Sequence, residues 1–325
     1  MARIRYLQAL SKALGDEMRA DESVFVLGED VRQALRGVTK GFYAEFGPER
    51  VVDMPISEQA FTGLATGAAL SGLRPVVEYQ IPSLVYVSFE QMVNQAQKFH
   101  AMTGGQARVP VTYLVPGSGA RAGLGGQHSD HPYPLFVHQG VKTVLPATAY
   151  DAYGLLVSAI RDPDPVIVFG PNVCLGIRDE VPDEPYAVEL GRGRIHRTGD
   201  DVTIVAMGHL VHDALAVAEE LSDRCSLEVF DPRTLHPFDW PLLAASVAKT
   251  GRLVVYDDSN RSCGLAAEIV ATAAEEMDLR ERPKRVTRAD VPAVPFSGPI
   301  EKAVLPSRKQ LVAALGDLLS LEVPA

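Results

Sequence analysis

Short apolar runs rich in Val, Ile and Leu alternate along this chain with stretches whose apolar residues recur every three or four positions, the pattern of a parallel sheet covered by helices on both faces. The runs predict strands over residues 24–27, 73–79, 109–115, 141–145 and 166–169, and helical spacing predicts helices over 6–18, 59–70, 89–102 and 150–160. Beyond Gly170 the periodicity lapses into a proline- and acid-rich stretch. It restarts with strands over 202–207, 226–230 and 253–256 and helices over 211–221, 240–247 and 265–277. A last helix over 307–319 would bury Leu311, Val312, Leu315, Leu318 and Leu319. The expected class is α/β, with two doubly wound domains at residues 1–175 and 196–325 joined by a linker at 176–195.

One stretch of this pattern places an acid at a junction. Glu58 precedes a helix on which Phe61, Leu64, Ala65, Ala68 and Ala69 are expected to share a buried face, with Gly63 and Gly67 allowing a neighbouring backbone to come close. Gly72 ends that helix and a buried strand follows. A carboxylate there either complements the helix dipole, worth a few tenths to about 1 kcal/mol, or serves a ligand. The glycine-rich run 117–126 poses a second choice. Gly117, Gly119 and Ala122 fit a dinucleotide fingerprint in its loosest form, but residues 127–134 behind them are not expected to open the helix that the fingerprint needs, and no Gly-Lys-Ser/Thr is present. Backbone passing close to a ligand, ending at His128, is the simpler reading. A hydrolase metal site at His128, Asp130, His131 and His138 is a remote alternative, since Gly126 stands where a dinuclear site would want another histidine.

Composition narrows the classes further. The net charge of -10, with no basic cluster to offset it, argues against a nucleic-acid partner. Cys174, Cys225 and Cys263 are widely spaced, without a CxxC, and imply neither a disulfide framework nor a zinc site. No apolar run approaches the ~18 residues of a membrane span and no signal-peptide core is visible, so a cytoplasmic protein without membrane partners is expected.

Read as motifs, the chain resembles the beta subunit of the thiamine-diphosphate-dependent decarboxylase component of 2-oxo acid dehydrogenases, the pyruvate, branched-chain and acetoin family. The resemblance rests on LGEDV at Leu27, VTKGFYAEFGPERV at Val38, PISEQAFTGLATGAALSGLRPVVE at Pro55 and FEQMVNQAQKFHAMTGGQ at Phe89. GGQHSD ending at Asp130, YDAYGLLVSAIRDPDPVIVF at Tyr150, DPRTLHPFDW at Asp231 and RADVPAVPFS at Arg288 continue it almost to the end. It implies a pyrimidine-binding thiamine diphosphate domain followed by a transketolase-like C-terminal domain. It also implies that Glu58, beside Ile56, hydrogen-bonds the cofactor's aminopyrimidine and stabilises the tautomer that acts as an internal base. Gln80 matches a position near that ring. His128 would sit by the thiazolium and assist acyl transfer to a lipoyl group, a role suited to an unperturbed pKa of ~6.5.

The chain also departs from that family. Leu84 stands where an aromatic residue is usual, Asp130 replaces a glutamine, and Gly170-Pro171-Asn172 lacks a usual glutamate-containing motif. No Gly-Asp-Gly is present to hold a diphosphate-bound divalent ion; Gly15-Asp16-Glu17 and Gly199-Asp200-Asp201 come nearest. An alpha subunit is therefore expected to supply Mg2+ and the diphosphate half of the site in an alpha2-beta2 heterotetramer, with the helix behind Glu58 as a packing surface. The resemblance further implies a potassium ion on backbone oxygens near Thr112, Ala159, Ile160, Asp162 and Asp164, and docking of a lipoyl-bearing acyltransferase or carrier protein near Asp290. Two alternatives stay open: a transketolase-like transfer of a two-carbon ketol unit from a sugar phosphate to a lipoyl or carrier-protein acceptor, and a non-catalytic scaffold subunit.

Overall fold

In the computed structural model, which describes residues 1–120 and 123–321, the apolar runs become strands of two separate sheets. One compact unit comprises residues 1–119 and 135–190, and a second comprises 120–134 and 191–325. Across the first unit's sheet run Lys142–Val144, Val166–Pro171, Thr112–Ser118, Arg74–Glu78, Val24–Gly28 and Val51–Asp53, all parallel. Their central members are buried at nearly every position, which is why they read as continuous apolar runs and not as alternations. The helix Tyr6–Ala20 presents Tyr6, Leu10, Leu14 and Met18 to a core shared with Leu155, Leu156 and Ile160 of the helix Ala149–Arg161. At its far end Arg161 grips Glu17 with two bonds of 2.8 and 2.7 Å.

Several elements differ from expectation. Where a linker is expected, Arg178–Val181 pairs antiparallel with the strand Ala2–Arg5. Tyr186 then stacks at 4.7 and 4.6 Å between Tyr150 and Tyr153, so this proline-rich stretch packs as part of the first unit. The expected helix over 89–102 starts earlier, as Leu84–Glu90, and widens into a π-turn at Gln91–Gln97 before closing with Phe99–Met102. A further short helix, Tyr133–His138, begins within the stretch expected to block one; Pro134 lies in its first turn, where a missing N–H costs nothing.

The second unit's sheet runs Lys284–Arg288, Leu253–Asn260, Val202–Ala206, Leu227–Asp231 and Arg194–Arg197, the last antiparallel. Its outer strands, KRVTR and RIHR, carry charge and go unpredicted by an apolar pattern, as edge strands often do. The helices have explicit end signals: Asp239 caps Trp240–Thr250 through the Leu242 amide, and Ser307 with Gln310 forms a capping box on Arg308–Leu319. No helix among the described residues is long and apolar enough to cross a membrane.

Candidate active site

In the first unit, Val24–Gly28 pairs with Val51–Asp53 on one side and Arg74–Glu78 on the other, so successive connections leave it in opposite directions. Such a switch point opens a crevice at the carboxyl ends of the strands. Glu29 follows Val24–Gly28, Gln80 lies just past Arg74–Glu78, and the loop after Asp53 leads to Glu58, the first residue of the helix Glu58–Leu70. The strands approach closely here: a Cβ on Gly28 would lie 2.4 Å from the Glu78 carbonyl oxygen.

The expected apolar face of that helix is rotated. Glu58, Phe61, Thr62, Ala65, Thr66 and Ala69 are buried, while Leu64 is 50% exposed. Two threonines can go inside because each hydroxyl donates to the carbonyl one turn back, Thr62 to Glu58 at 2.6 Å and Thr66 to Thr62 at 3.1 Å. This turns Glu58 inward, 7% exposed, against Glu29. Burial, then the Glu58 charge and a hydrogen bond to it, push Glu29 up to about 7. Beside the Glu58 charge, Glu29 therefore keeps its proton more readily than an ordinary carboxyl.

Gln80 links this pair to a third acid. Its amide nitrogen donates to the Glu29 carbonyl at 2.8 Å and to Glu78 Oε1 at 3.3 Å. Glu78 is fully buried and rises to about 7, the Gln80 bond and Arg36 only partly offsetting desolvation. Gln80 Oε1, Glu29 Oε1 and Glu78 Oε2 are buried with no hydrogen-bond partner among the described residues. Orphaned oxygens in one crevice call for a donor from elsewhere. Beside the helix start lies a cavity of about 610 Å³ lined by Ser57, Glu58, Gln59, Ala60, Gly63, Val87 and Gln91. Of the other expected cofactor residues, Ile56 is 85% exposed and Leu84 is half-buried at the start of Leu84–Glu90. Glu29, Glu78 and Arg36 carry no periodicity that marks them as site residues, although Glu29 sits in the LGEDV motif directly behind a buried strand.

His128 belongs to the second unit, on the 3-10 turn Gly126–Ser129, where its side chain is exposed. Two of the glycines before it have protein neighbours: a Cβ on Gly125, whose φ is +61°, would come within 3.0 Å of the Phe296 backbone, and one on Gly117 would meet Asn172 Oδ1 at 2.8 Å, whereas one on Gly123 or Gly126 would meet nothing within 4 Å. Gly117 and Gly125 thus admit the chain's own groups, while the space beside Gly123 and Gly126 is open. Ala122, part of the loose fingerprint, lies outside the described residues. The metal-site alternative finds no ligand cluster at His128, Asp130 and His131 among the described residues, since His131 turns its Nδ1 to Asp258 at 3.2 Å; His138 falls in the first unit.

Around the expected potassium loop, Arg74 donates to the carbonyls of Ile160 at 2.9 Å and Asp162 at 3.2 Å, and Thr112 and Ala159 are buried. Lys142 binds the Asp162 and Asp164 carboxylates at 2.7 and 3.1 Å. Asp290 accepts from the Ser262 amide and hydroxyl at 2.8 and 2.6 Å, which lowers its pKa.

Models of the transketolase pyrimidine-binding domain and the transketolase C-terminal domain match residues 2–175 and 191–311. The chain therefore belongs to this family, in its branch of thiamine-diphosphate-dependent 2-oxo acid dehydrogenase beta subunits. It is 40% identical, over 98% of its length and 98% of the relative's, to the acetoin:2,6-dichlorophenolindophenol oxidoreductase subunit beta of Bacillus subtilis. It is 39% identical to the pyruvate dehydrogenase E1 component subunit beta of Rhizobium meliloti, over 97% of this chain and 70% of that one. A solved structure described as a split gene transketolase, inactive beta4 tetramer, matches with a TM-score of 0.79 over 99% of this chain and 100% of that chain; at 24% identity this is a likeness of fold.

Proposed function

We propose that this chain supplies the pyrimidine half of a thiamine diphosphate site for 2-oxo acid decarboxylation, with Glu58 as the acid on the aminopyrimidine and His128 assisting acyl transfer to a lipoyl group. The observation that carries it is the inward Glu58 carboxyl paired with Glu29 at the switch point, beside the orphaned Gln80 Oε1. When bound, the cofactor supplies a nucleophilic carbanion and an electron sink. Glu58 would hydrogen-bond the ring, Glu29 faces it as the second acid of the pair, and Gln80 fixes the Glu29 backbone carbonyl through its amide nitrogen. Leu84 and the exposed Ile56 would border the ring on the open side.

With no Gly-Asp-Gly in the chain, the diphosphate and Mg2+ are assigned to an alpha subunit in an alpha2-beta2 assembly, and the exposed side of the helix at Ala60, Leu64 and Gly67 is its proposed packing surface. A potassium ion near the Ile160 and Asp162 carbonyls is proposed from the family resemblance alone; both carbonyls already accept from the Arg74 guanidinium, whose charge opposes a second cation there. Thermal unfolding in KCl against NaCl checks it; equal midpoints remove the ion.

Co-production with an alpha subunit, followed by turnover of pyruvate, acetoin, branched-chain 2-oxo acids and ketose phosphates, tests the assignment. Turnover of a 2-oxo acid or acetoin is expected, with Glu58→Gln lowering it by on the order of 10²–10⁴-fold. Activity confined to ketose phosphates, or an unaffected Glu58→Gln, overturns the reading.

A further inference from the structure

Directly behind the His128 turn, residues 130–133 are fastened to the carboxyl end of the strand Leu253–Asn260 by buried charged groups that the proposed reaction leaves unused. Two consecutive acids close that strand. Asp257 accepts from the Tyr133 hydroxyl, from Ser259 Oγ at 2.7 Å and from the Ala266 amide at 3.1 Å. Asp258 faces His131 Nδ1 at 3.2 Å, accepts from Arg288 Nε at 3.1 Å and has a terminal guanidinium nitrogen as an ion-pair neighbour at 3.0 Å.

The side chains of His131, Asp258 and Arg288 are 1%, 4% and 5% exposed. Removing such ions from water costs several kcal/mol each unless geometry and hydrogen bonds compensate, so this set is stable as a set and not piecewise. Burial alone would raise the Asp258 pKa; the Arg288 charge and the His131 bond more than offset it and hold the acid ionised. His131 Nε2 has no partner among the described residues, leaving Asp258 to orient the ring. Arg288 also faces Asp130 at 3.9 Å, and Asp130 accepts from the His131 amide at 2.9 Å.

The front of the turn is held separately, by the Gly126 amide on the Val294 carbonyl at 2.9 Å. Both ends of the four-residue turn that carries His128 are thus fixed by residues more than a hundred positions further along the chain. We infer that Asp258, acting through His131 and braced by Arg288, is a positioning residue that sets where His128 stands for acyl transfer. The inference rests on the reading of His128 given above.

The test uses the chain assembled with its alpha subunit, thiamine diphosphate and Mg2+, and the 2-oxo acid turned over best. Two rates are compared: reduction of 2,6-dichlorophenolindophenol, which bypasses the lipoyl step, and acylation of free lipoamide. For Asp258→Asn the lipoamide rate is expected to fall on the order of 10- to 100-fold, as for a misplaced catalytic group, with dye reduction within about twofold of the parent. His131→Gln, whose amide can still donate to Asp258, should retain more of the lipoamide rate than His131→Leu, and this pair carries the test should Asp258→Asn fail to fold. Equal losses of both rates, in step with the folded fraction, assign the cluster to stability alone and overturn the inference. His128→Ala separates the two ideas. If it leaves lipoamide acylation intact, the reading of His128 fails; if it abolishes acylation while Asp258→Asn and both His131 variants do not, only the positioning role fails.

Discussion

At the scale of single residues the site is a matter of where protons are held. Glu29 and Glu78 both rise to about 7 from an ordinary 4.5, in each case with burial as the first cause. For Glu78 the folded state binds the proton more tightly than the unfolded chain. Its contribution to stability is intact below about 4.5 and is lost as the pH rises through about 7. Glu78→Gln should flatten the decline in unfolding free energy across that window by on the order of 3 kcal/mol, measured by denaturant titration at several pH values. An unchanged slope would mean Glu78 is solvated in solution. The Glu58 position was legible from its place at a loop-helix joint. Its partner Glu29 was not, because a switch point is a property of strand order, and strand order is not written in local periodicity.

Among the elements, those with an apolar signature were legible and those without it were not. The central strands and the helices Tyr6–Ala20 and Ala149–Arg161 follow from runs and spacing. The strands Arg178–Val181, Arg194–Arg197 and Lys284–Arg288 did not, since charged sheet edges carry no apolar alternation. Even a correctly located helix was misjudged in rotation, because threonines that bond their own backbone can be buried where alanines were expected. The turn Gly126–Ser129 offers a prediction at this scale. Gly125→Ala adds a Cβ 3.0 Å from Phe296 Cα at a φ of +61°, and should cost about 1–3 kcal/mol, seen as a lower thermal midpoint. A neutral result would show that the Phe296 loop yields.

For the whole molecule, the absence of a Gly-Asp-Gly points to a shared site, and the relatives are themselves named as beta subunits. What local reading could not supply is the partition of the chain. Residues 120–134 leave the first unit to complete the second, and the chain then returns for 135–190. Co-translational folding inherits an ordering problem from this. The second unit cannot finish until its last strand has been made, and until then a fifteen-residue excursion from the middle of the first unit, residues 120–134, waits without its partners. A fragment of residues 191–325 produced alone should lack cooperative unfolding, since Asp257, Asp258 and Arg288 would lose Tyr133 and His131. Restoring residues 120–134 as a separate peptide should bring cooperativity back, and a cooperative fragment without it would refute the expectation. A gene divided at the apparent boundary would thus yield one piece with a loose end and another with a gap, so any recombination of such subunits must exchange the excursion together with the unit it completes.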